Sequence, residues 1–278
     1  RPRATLCQGG AAHRARERPL CQQPLLLTDK HYQCANRHSF DIAREGYVNL
    51  LPVQQKNSKD PGDNKAMMQA RRSFLQAGWY APLAQAVSDT IAKLAPDTLL
   101  DLGCGEGYYT AQLKRALPDT LIFGVDISKA AVKFAAKANS DIQFSVASAY
   151  QLPFADNSFA AIVRIYAPSK PEELQRLLKP QGYLITVSPG PQHLLEIKQA
   201  VYDEVQLHSD AIAEIPMLTH LTRQRLQFTL RFEKADDVSA LIQMVPLAWK
   251  FSTEQKQQFA ATLPDISVDF LLDVYQKA

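Results

Sequence analysis

Asp101-Leu102-Gly103-Cys104-Gly105-Glu106-Gly107 sets one acid and three glycines, at alternate positions, directly behind the apolar run Leu99-Leu100. A buried strand that turns sharply into a helix calls for such residues. Glycine enters positive φ without a Cβ clash and lets a ligand pass close to the backbone. The spacing acid-x-G-x-G-x-G differs from the G-x-G-x-x-G that suits a pyrophosphate at a helix N-terminus. A second apolar run, Leu121-Ile122-Phe123-Gly124-Val125, ends in Asp126. An acid about 20 residues past the glycines accepts hydrogen bonds from ribose hydroxyls in nucleotide-binding sheets. The pair predicts a nucleoside-like ligand. A glycine turn without a ligand and an ordinary strand-closing Asp are the plainer alternatives.

A second constellation lies near the amino terminus. Cys34-Ala35-Asn36-Arg37-His38 has the C-x₃-H spacing with which both side chains close on one zinc ion, and Cys21 lies upstream to supply an opposing ligand. A structural tetrahedral site takes four ligands. The position three before Cys21, where a further cysteine would complete the pattern, is Arg18. Three readings stay open: Cys7, His13 or His31 completes the sphere, the start of the sequence is misread, or the module folds without metal around buried thiols. Cys104, inside the glycine turn, reads as a small structural residue.

Positioning these groups requires a parallel sheet. Strands are predicted at 98–102, 121–126, 142–146, 159–165 and 183–188, and helices at 107–116, 128–138 and 171–178. That alternation is an α/β, doubly wound, Rossmann-like sheet, with ligands at the carboxyl ends of its strands. Helices over 66–78 and 82–94 precede it; a helix at 193–206, a strand at 224–232 and a helix at 235–243 follow. Residues 1–17 read as an extension without structure or a misread start, 18–52 as a small β-rich, zinc-ribbon-like module, 53–65 as a polar linker around Pro61-Gly62, and 66–278 as the main domain.

Composition sets outer bounds. The 278 residues are 46% hydrophobic and 21% charged with net charge +3, which permits nucleic-acid binding without requiring it. No apolar run approaches a membrane span, so no membrane partner is expected. Four cysteines are too few for a disulfide framework in a chain of this size.

Asp101 to Gly107 resembles motif I of the S-adenosylmethionine (SAM) methyltransferases of class I, Rossmann-like fold; SAM carries a sulfonium and an ammonium, so acids at the turn suit it. The flanking segments are more specific. Glu45-Gly46-Tyr47-Val48-Asn49-Leu50-Leu51-Pro52-Val53-Gln54, Asp60-Pro61-Gly62-Asp63, the run from Met67 to Tyr80, Ile165-Tyr166-Ala167-Pro168 and Pro189-Gly190-Pro191-x-His193-Leu194 closely resemble the RlmA (RrmA) family. These are bacterial large-subunit ribosomal RNA guanine-N1 methyltransferases, and the likeness runs from about Arg18 to the carboxyl terminus. The resemblance implies SAM as cofactor, held by Gly103, Gly105, Glu106 and Gly107 beside Asp101, by Asp126 at the ribose, and by Tyr80 and His193 lining the pocket. It implies Cys21, Cys34 and His38 as zinc ligands, with Arg18 where the fourth should stand. It further implies a cytoplasmic homodimer whose substrate is a hairpin loop of 23S ribosomal RNA. Lys179-Pro180-Gln181-Gly182 departs from relatives that carry Gly at 181.

Plainer alternatives accompany each residue. Tyr80 reads equally as a half-buried aromatic, and His193 as a packed histidine. Arg71, Arg72, Lys56 and Lys59 track RNA phosphate or form a solvated face. Lys129, Lys133 and Lys137, four apart, form an exposed stripe. Guanine N1 lies on the pairing edge, so the substrate base must be unpaired and turned into a pocket, with Tyr166 as a base-facing wall or a core aromatic. No residue announces itself as the base that removes the N1 proton. A small-molecule methyltransferase, or an RNA-binding relative without catalysis, are the competing classes.

Overall fold

The computed structural model describes residues 23–52 and 64–278. At the amino end, β1 (Leu26–Leu27), β2 (His31–Gln33) and β3 (Ser39–Asp41) make a three-stranded antiparallel sheet. Its small core holds Leu25, Tyr32, Cys34, Val48 and Leu50. The next strand, β4 (Val48–Asn49), leaves this sheet and pairs in parallel with β7 (Gln143–Val146) of the main one. The module expected at 18–52 therefore shares its last residues with the large sheet.

Two helices follow. Asn64 caps α1 (Lys65–Gln76) by accepting from Met67 N, and α2 (Ala81–Leu94) ends in Ala95 at φ 43°. From there strand and helix alternate: β5 (Thr98–Leu102), α3 (Tyr108–Ala116), β6 (Leu121–Asp126), α4 (Lys129–Ala138), β7, β8 (Phe159–Ile165), α5 (Pro171–Leu177) and β9 (Leu178–Pro189). The remainder is α6 (Leu195–Gln199), β10 (Leu218–Leu230), α7 (Ala235–Met244), α8 (Thr253–Ala261) and β11 (Ile266–Lys277). Sheet order is β10-β11-β9-β8-β5-β6-β7-β4, with β11 antiparallel to both neighbours. Successive residues of a strand point to opposite faces. Accordingly Leu99 and Ile122 join the apolar layer of α1–α4 and α7, while Leu100 and Phe123 join the opposite layer with Leu174 and Leu177 of α5.

The class I, Rossmann-like architecture expected from the glycine turn is present. Several boundaries change, and the strand expected at 183–188 runs from Leu178 to Pro189. The helix expected at 193–206 is only α6, and further along Arg223 binds the Asp210 and Ala211 carbonyls and Tyr275 Oη binds Ala213 O, tying that irregular stretch to β10 and β11. The strand expected at 224–232 begins at Leu218, where it pairs with β11, an element that sequence periodicity did not reveal. Gln181 adopts φ 62°, the left-handed conformation that glycine takes without cost. Among the described residues, no helix is long and apolar enough to cross a membrane. Residues 1–17, Arg18, Cys21 and most of the expected linker, 53–63, lie outside the described residues.

Candidate cofactor and acceptor site

β5 delivers Asp101 to its carboxyl end with the side chain 2% exposed, and Thr110 Oγ1 of α3 donates to its Oδ2 at 2.6 Å. The chain then reverses through Gly103 (φ 79°), Gly105 (φ 53°) and Gly107 (φ 80°). Gly103 N and Cys104 N both donate to Val125 O, at 2.8 and 3.0 Å, stitching the turn to β6. Each glycine has its own reason. A Cβ on Gly103 would lie 2.4 Å from Ala167 Cβ, and one on Gly107 3.0 Å from Ala135 Cβ, so both are packing contacts. A Cβ on Gly105 would meet nothing within 4 Å. Open space beside a left-handed glycine, at the carboxyl end of the central strand, is where a ligand can approach the backbone. Cys104 is buried with its thiol pushed up by burial, in agreement with a structural role.

Asp126 closes β6 beside this turn. Its Oδ2 accepts from Gly105 N at 3.0 Å and its Oδ1 from Ser128 N at 2.8 Å. One carboxylate thus joins the glycine turn to the start of α4. Burial pushes the Asp101 carboxyl up to about 7, the Thr110 hydrogen bond opposes this, and the Asp126 charge adds to it. Two acids converging at the end of neighbouring strands make the turn electronegative, which suits a cationic ligand. Glu106 is half-buried in the same turn.

Tyr80, at the start of α2, is 4% exposed between Phe74 and Phe270, with ring centroids at 5.0 and 5.1 Å. Among the described residues its hydroxyl has no hydrogen-bond partner, and burial pushes its pKa up. An orphaned buried hydroxyl near the turn fits a ligand with acceptor oxygens. Tyr109 of α3, which sequence reasoning did not single out, has its hydroxyl raised by burial and by the nearby Tyr80.

His193 packs beside Tyr166. Its imidazole is 7% exposed, and Asp269 N donates to its Nδ1 at 3.3 Å. That bond puts the proton of the neutral ring on Nε2, which faces Tyr166 Oη at 3.5 Å. Burial lowers its pKa to about 3, with His208 and Lys198 adding to the effect, so the ring is neutral at physiological pH. The residue follows β9, which β8 separates from the glycine turn. His193 and Tyr166 therefore form a pair beyond the carboxyl ends of β9 and β8. Tyr166 directly follows β8 at φ 57° and remains 46% exposed, so it is not a core aromatic. Its neighbour Ala167 is the residue packed on Gly103.

Asp269 and Lys198 were not legible beforehand. Asp269 is fully buried in β11; Arg225 binds both its oxygens, at 2.8 and 2.7 Å, and Gln192 N donates at 3.0 Å. Those partners hold its carboxyl below the usual range despite burial, and they occupy it structurally. Lys198 of α6 is 8% exposed, and among the described residues its Nζ has no hydrogen-bond partner. Arg71 donates to Met244 O at 3.3 Å. Lys56 and Lys59 lie outside the described residues.

Residues 17–59 match the RlmA N-terminal zinc-ribbon family, and residues 99–182 the methyltransferase domain family. The chain is 34% identical over 257 residues to a 23S rRNA (guanine(748)-N(1))-methyltransferase of Streptomyces fradiae, covering 89% of this chain and 90% of the relative. Putative 23S rRNA (guanine-N(1)-)-methyltransferases of Micromonospora griseorubida and Bacillus subtilis are 33% and 32% identical, covering 83% of this chain and 85% and 86% of those relatives. The chain belongs to the RlmA family. It is a SAM-dependent methyltransferase, and the glycine turn lies within the residues that match the methyltransferase domain.

In the RlmA N-terminal module, Cys34 and His38 flank the turn between β2 and β3, where Cys34 N donates to His38 O at 3.1 Å and Arg37 has φ 60°. Cys34 Sγ and His38 Nδ1 are 3.3 Å apart. Two such ligands on one tetrahedral zinc would stand about 3.6 Å apart, so this pair fits the metal. Among the described residues, no group of three or more potential ligands gathers.

Proposed function

We propose that this enzyme methylates N1 of an unpaired guanine in a hairpin loop of 23S ribosomal RNA. The names of its relatives supply the substrate class. The observation that carries the geometry is the packing of Ala167 on Gly103, which sets the half-exposed Tyr166 at the edge of the donor turn. SAM, when bound, supplies an electrophilic methyl group. Gly103, Gly105, Glu106 and Gly107 shape the turn that holds it, Asp126 takes the ribose, and Asp101 and Tyr80 complete the pocket. Direct displacement needs donor and acceptor aligned about 3 Å apart, so positioning supplies much of the acceleration. Tyr166 provides a flat wall for the base. His193, its Nδ1 held by Asp269 N, keeps the Tyr166 hydroxyl in place from Nε2, and this bonding gives the neutral imidazole no free lone pair with which to take the N1 proton. Cys21, Cys34 and His38 hold zinc in an RNA-recognition module, and the protein works as a cytoplasmic homodimer.

Ribosomal RNA from a strain lacking this protein is expected to lose one N1-methylguanosine, and the purified enzyme to restore it on that RNA in the presence of SAM. Mass spectrometry of nucleosides checks this. An intact modification with no methyl transfer in vitro, alongside turnover of a metabolite extract, would favour a small-molecule acceptor instead.

Asp101 makes SAM binding pH-sensitive. A cation beside this acid lowers its pKa from about 7, so binding at pH 7 should release up to roughly half a proton. Calorimetry in two buffers of different ionisation enthalpy measures it, and Asp101→Asn should abolish the difference. The folded pKa lies above the unfolded value, so the acid's contribution to the stability of the ligand-free protein is full below about pH 4 and is lost as pH rises through about 7.

A further inference from the structure

α4 carries a surface that the methyl-transfer chemistry does not use. Ser128 accepts from Ala131 N to cap the helix, and its own N–H is bound by Asp126, so the helix starts at the cofactor acid. Ser128 Oγ also contacts Met68 Sδ of α1 at 3.6 Å, which sets α1 alongside. Lys129, Lys133 and Lys137 recur every four residues on its exposed face, a rise of about 12 Å from first to last. Between them Phe134 is 48% exposed, and the Arg72 guanidinium of α1 lies 5.1 Å from its ring centroid. At the middle of the stripe, Lys133 Nζ meets Glu45 Oε1 of the amino-terminal module at 3.4 Å.

Lysines alone would be an ordinary solvated stripe. The ring changes that. A half-exposed Phe on a helix whose apolar side is already buried through Ala131, Val132, Ala135 and Ala136 returns little to folding. Cations that follow a phosphate backbone, beside an aromatic face on which a base stacks, are the combination used to hold RNA without reading its sequence. The stripe also begins at the donor site and touches the amino-terminal module, so RNA bound along it would be held between the two. We propose that the Lys129–Phe134–Lys137 face of α4, with Arg72, docks the substrate RNA outside the target nucleotide. This rests on the ribosomal RNA reading above. Lysine ammonium groups bind phosphates flanking the loop, and Phe134 with Arg72 receives an unpaired base.

The test uses the full chain, a 23S rRNA hairpin bearing the target guanine, and two variants that leave the donor turn and the Lys133–Glu45 contact intact: Lys129→Gln/Lys137→Gln and Phe134→Ala. Fluorescence anisotropy across a salt series reads RNA affinity, calorimetry reads SAM affinity, and methylation kinetics separate KM from kcat. The double-lysine variant should bind RNA at least tenfold more weakly, with a log affinity against log salt slope shallower by about 1 to 2. Phe134→Ala should lose affinity about tenfold with the slope unchanged, since stacking releases no counterions. For both, SAM affinity should stay within twofold and the loss should appear in KM. RNA affinity and slope unchanged in a variant that still binds SAM would overturn the proposal, and would point to a protein on this face. Should the double variant fail to bind SAM, the single Lys129→Gln and Lys137→Gln variants carry the same comparison. Wild-type protein that binds the hairpin but does not methylate it would overturn only the proposed function. Wild-type protein that binds no RNA would overturn both.

Discussion

Replacing Asp126 by alanine is expected to weaken SAM binding at least tenfold, and the loss should exceed that of any single contact to the ribose. The carboxylate has two tasks. The proposed function gives it the ribose hydroxyls, and it accepts from Gly105 N and Ser128 N, holding the glycine turn against the start of α4. Charge-assisted hydrogen bonds to backbone N–H groups are about twice as strong as neutral ones. Their loss leaves the turn free to relax before the ligand arrives. Asp126→Asn separates the two tasks, because an amide oxygen still accepts one of the backbone bonds while the charge is gone. Calorimetric affinities ordered wild type, Asn, Ala support the dual role. Equal affinity for Asp126→Ala and wild type would remove the residue from the site.

The second large effect lies in two glycines that look equivalent in the sequence. Gly103→Ala should damage the fold. Its Cβ would fall 2.4 Å from Ala167 Cβ at φ 79°, a backbone conformation that costs a residue with a Cβ about 1–2 kcal/mol before any overlap. The strand end carrying Tyr166 must shift, so both thermal stability and methyl transfer should fall, the latter by about 100-fold or more. Gly105→Ala should act otherwise. Its Cβ meets nothing within 4 Å, so the protein bears only the strain of φ 53° and remains folded. The added methyl group instead occupies the open side of the turn, and SAM affinity should collapse with little change in melting temperature. A thermal melt beside a titration for each variant checks the pair. Equal melting losses, or SAM binding retained in Gly105→Ala, would show that the space beside Gly105 is not the donor site.

Much of this site was legible because it is local. Asp101, the three glycines and Asp126 lie on two consecutive strand ends, where period-two burial and turn chemistry are written in adjacent residues. The acids of β11 were not. Asp269 and Asp273 lie in the apolar run Ile266-Ser267-Val268-Asp269-Phe270-Leu271-Leu272-Asp273, and only the pairing with β10 explains their burial. Arg223 is directly opposite Asp273 and binds it through two nitrogens, while Arg225 reaches Asp269 on the diagonal. Two arginines two apart, ahead of two acids four apart, were the available signal. His193 was recognisable as a residue of interest, but its neighbours come from β8 and β11, so its place beside Tyr166 depended on strand order.

The sequence by itself determined the fold class, the glycine turn between β5 and α3, the family and a Cys/His pair suited to zinc. Each of these rests on residues close in the chain, whose spacing already limits what the backbone can do. Tertiary structure decided which glycine packs and which lies open, that Asp126 braces the glycine turn, and that His193 packs beside Tyr166. It also joined the amino-terminal module to the main sheet through β4 and put Arg72 over Phe134. These outcomes depend on contacts between segments 20 to more than 70 residues apart, such as Gly105 with Asp126 and His193 with Asp269. Local propensity carries no information about such pairs; burial and hydrogen bonding across the assembled sheet do.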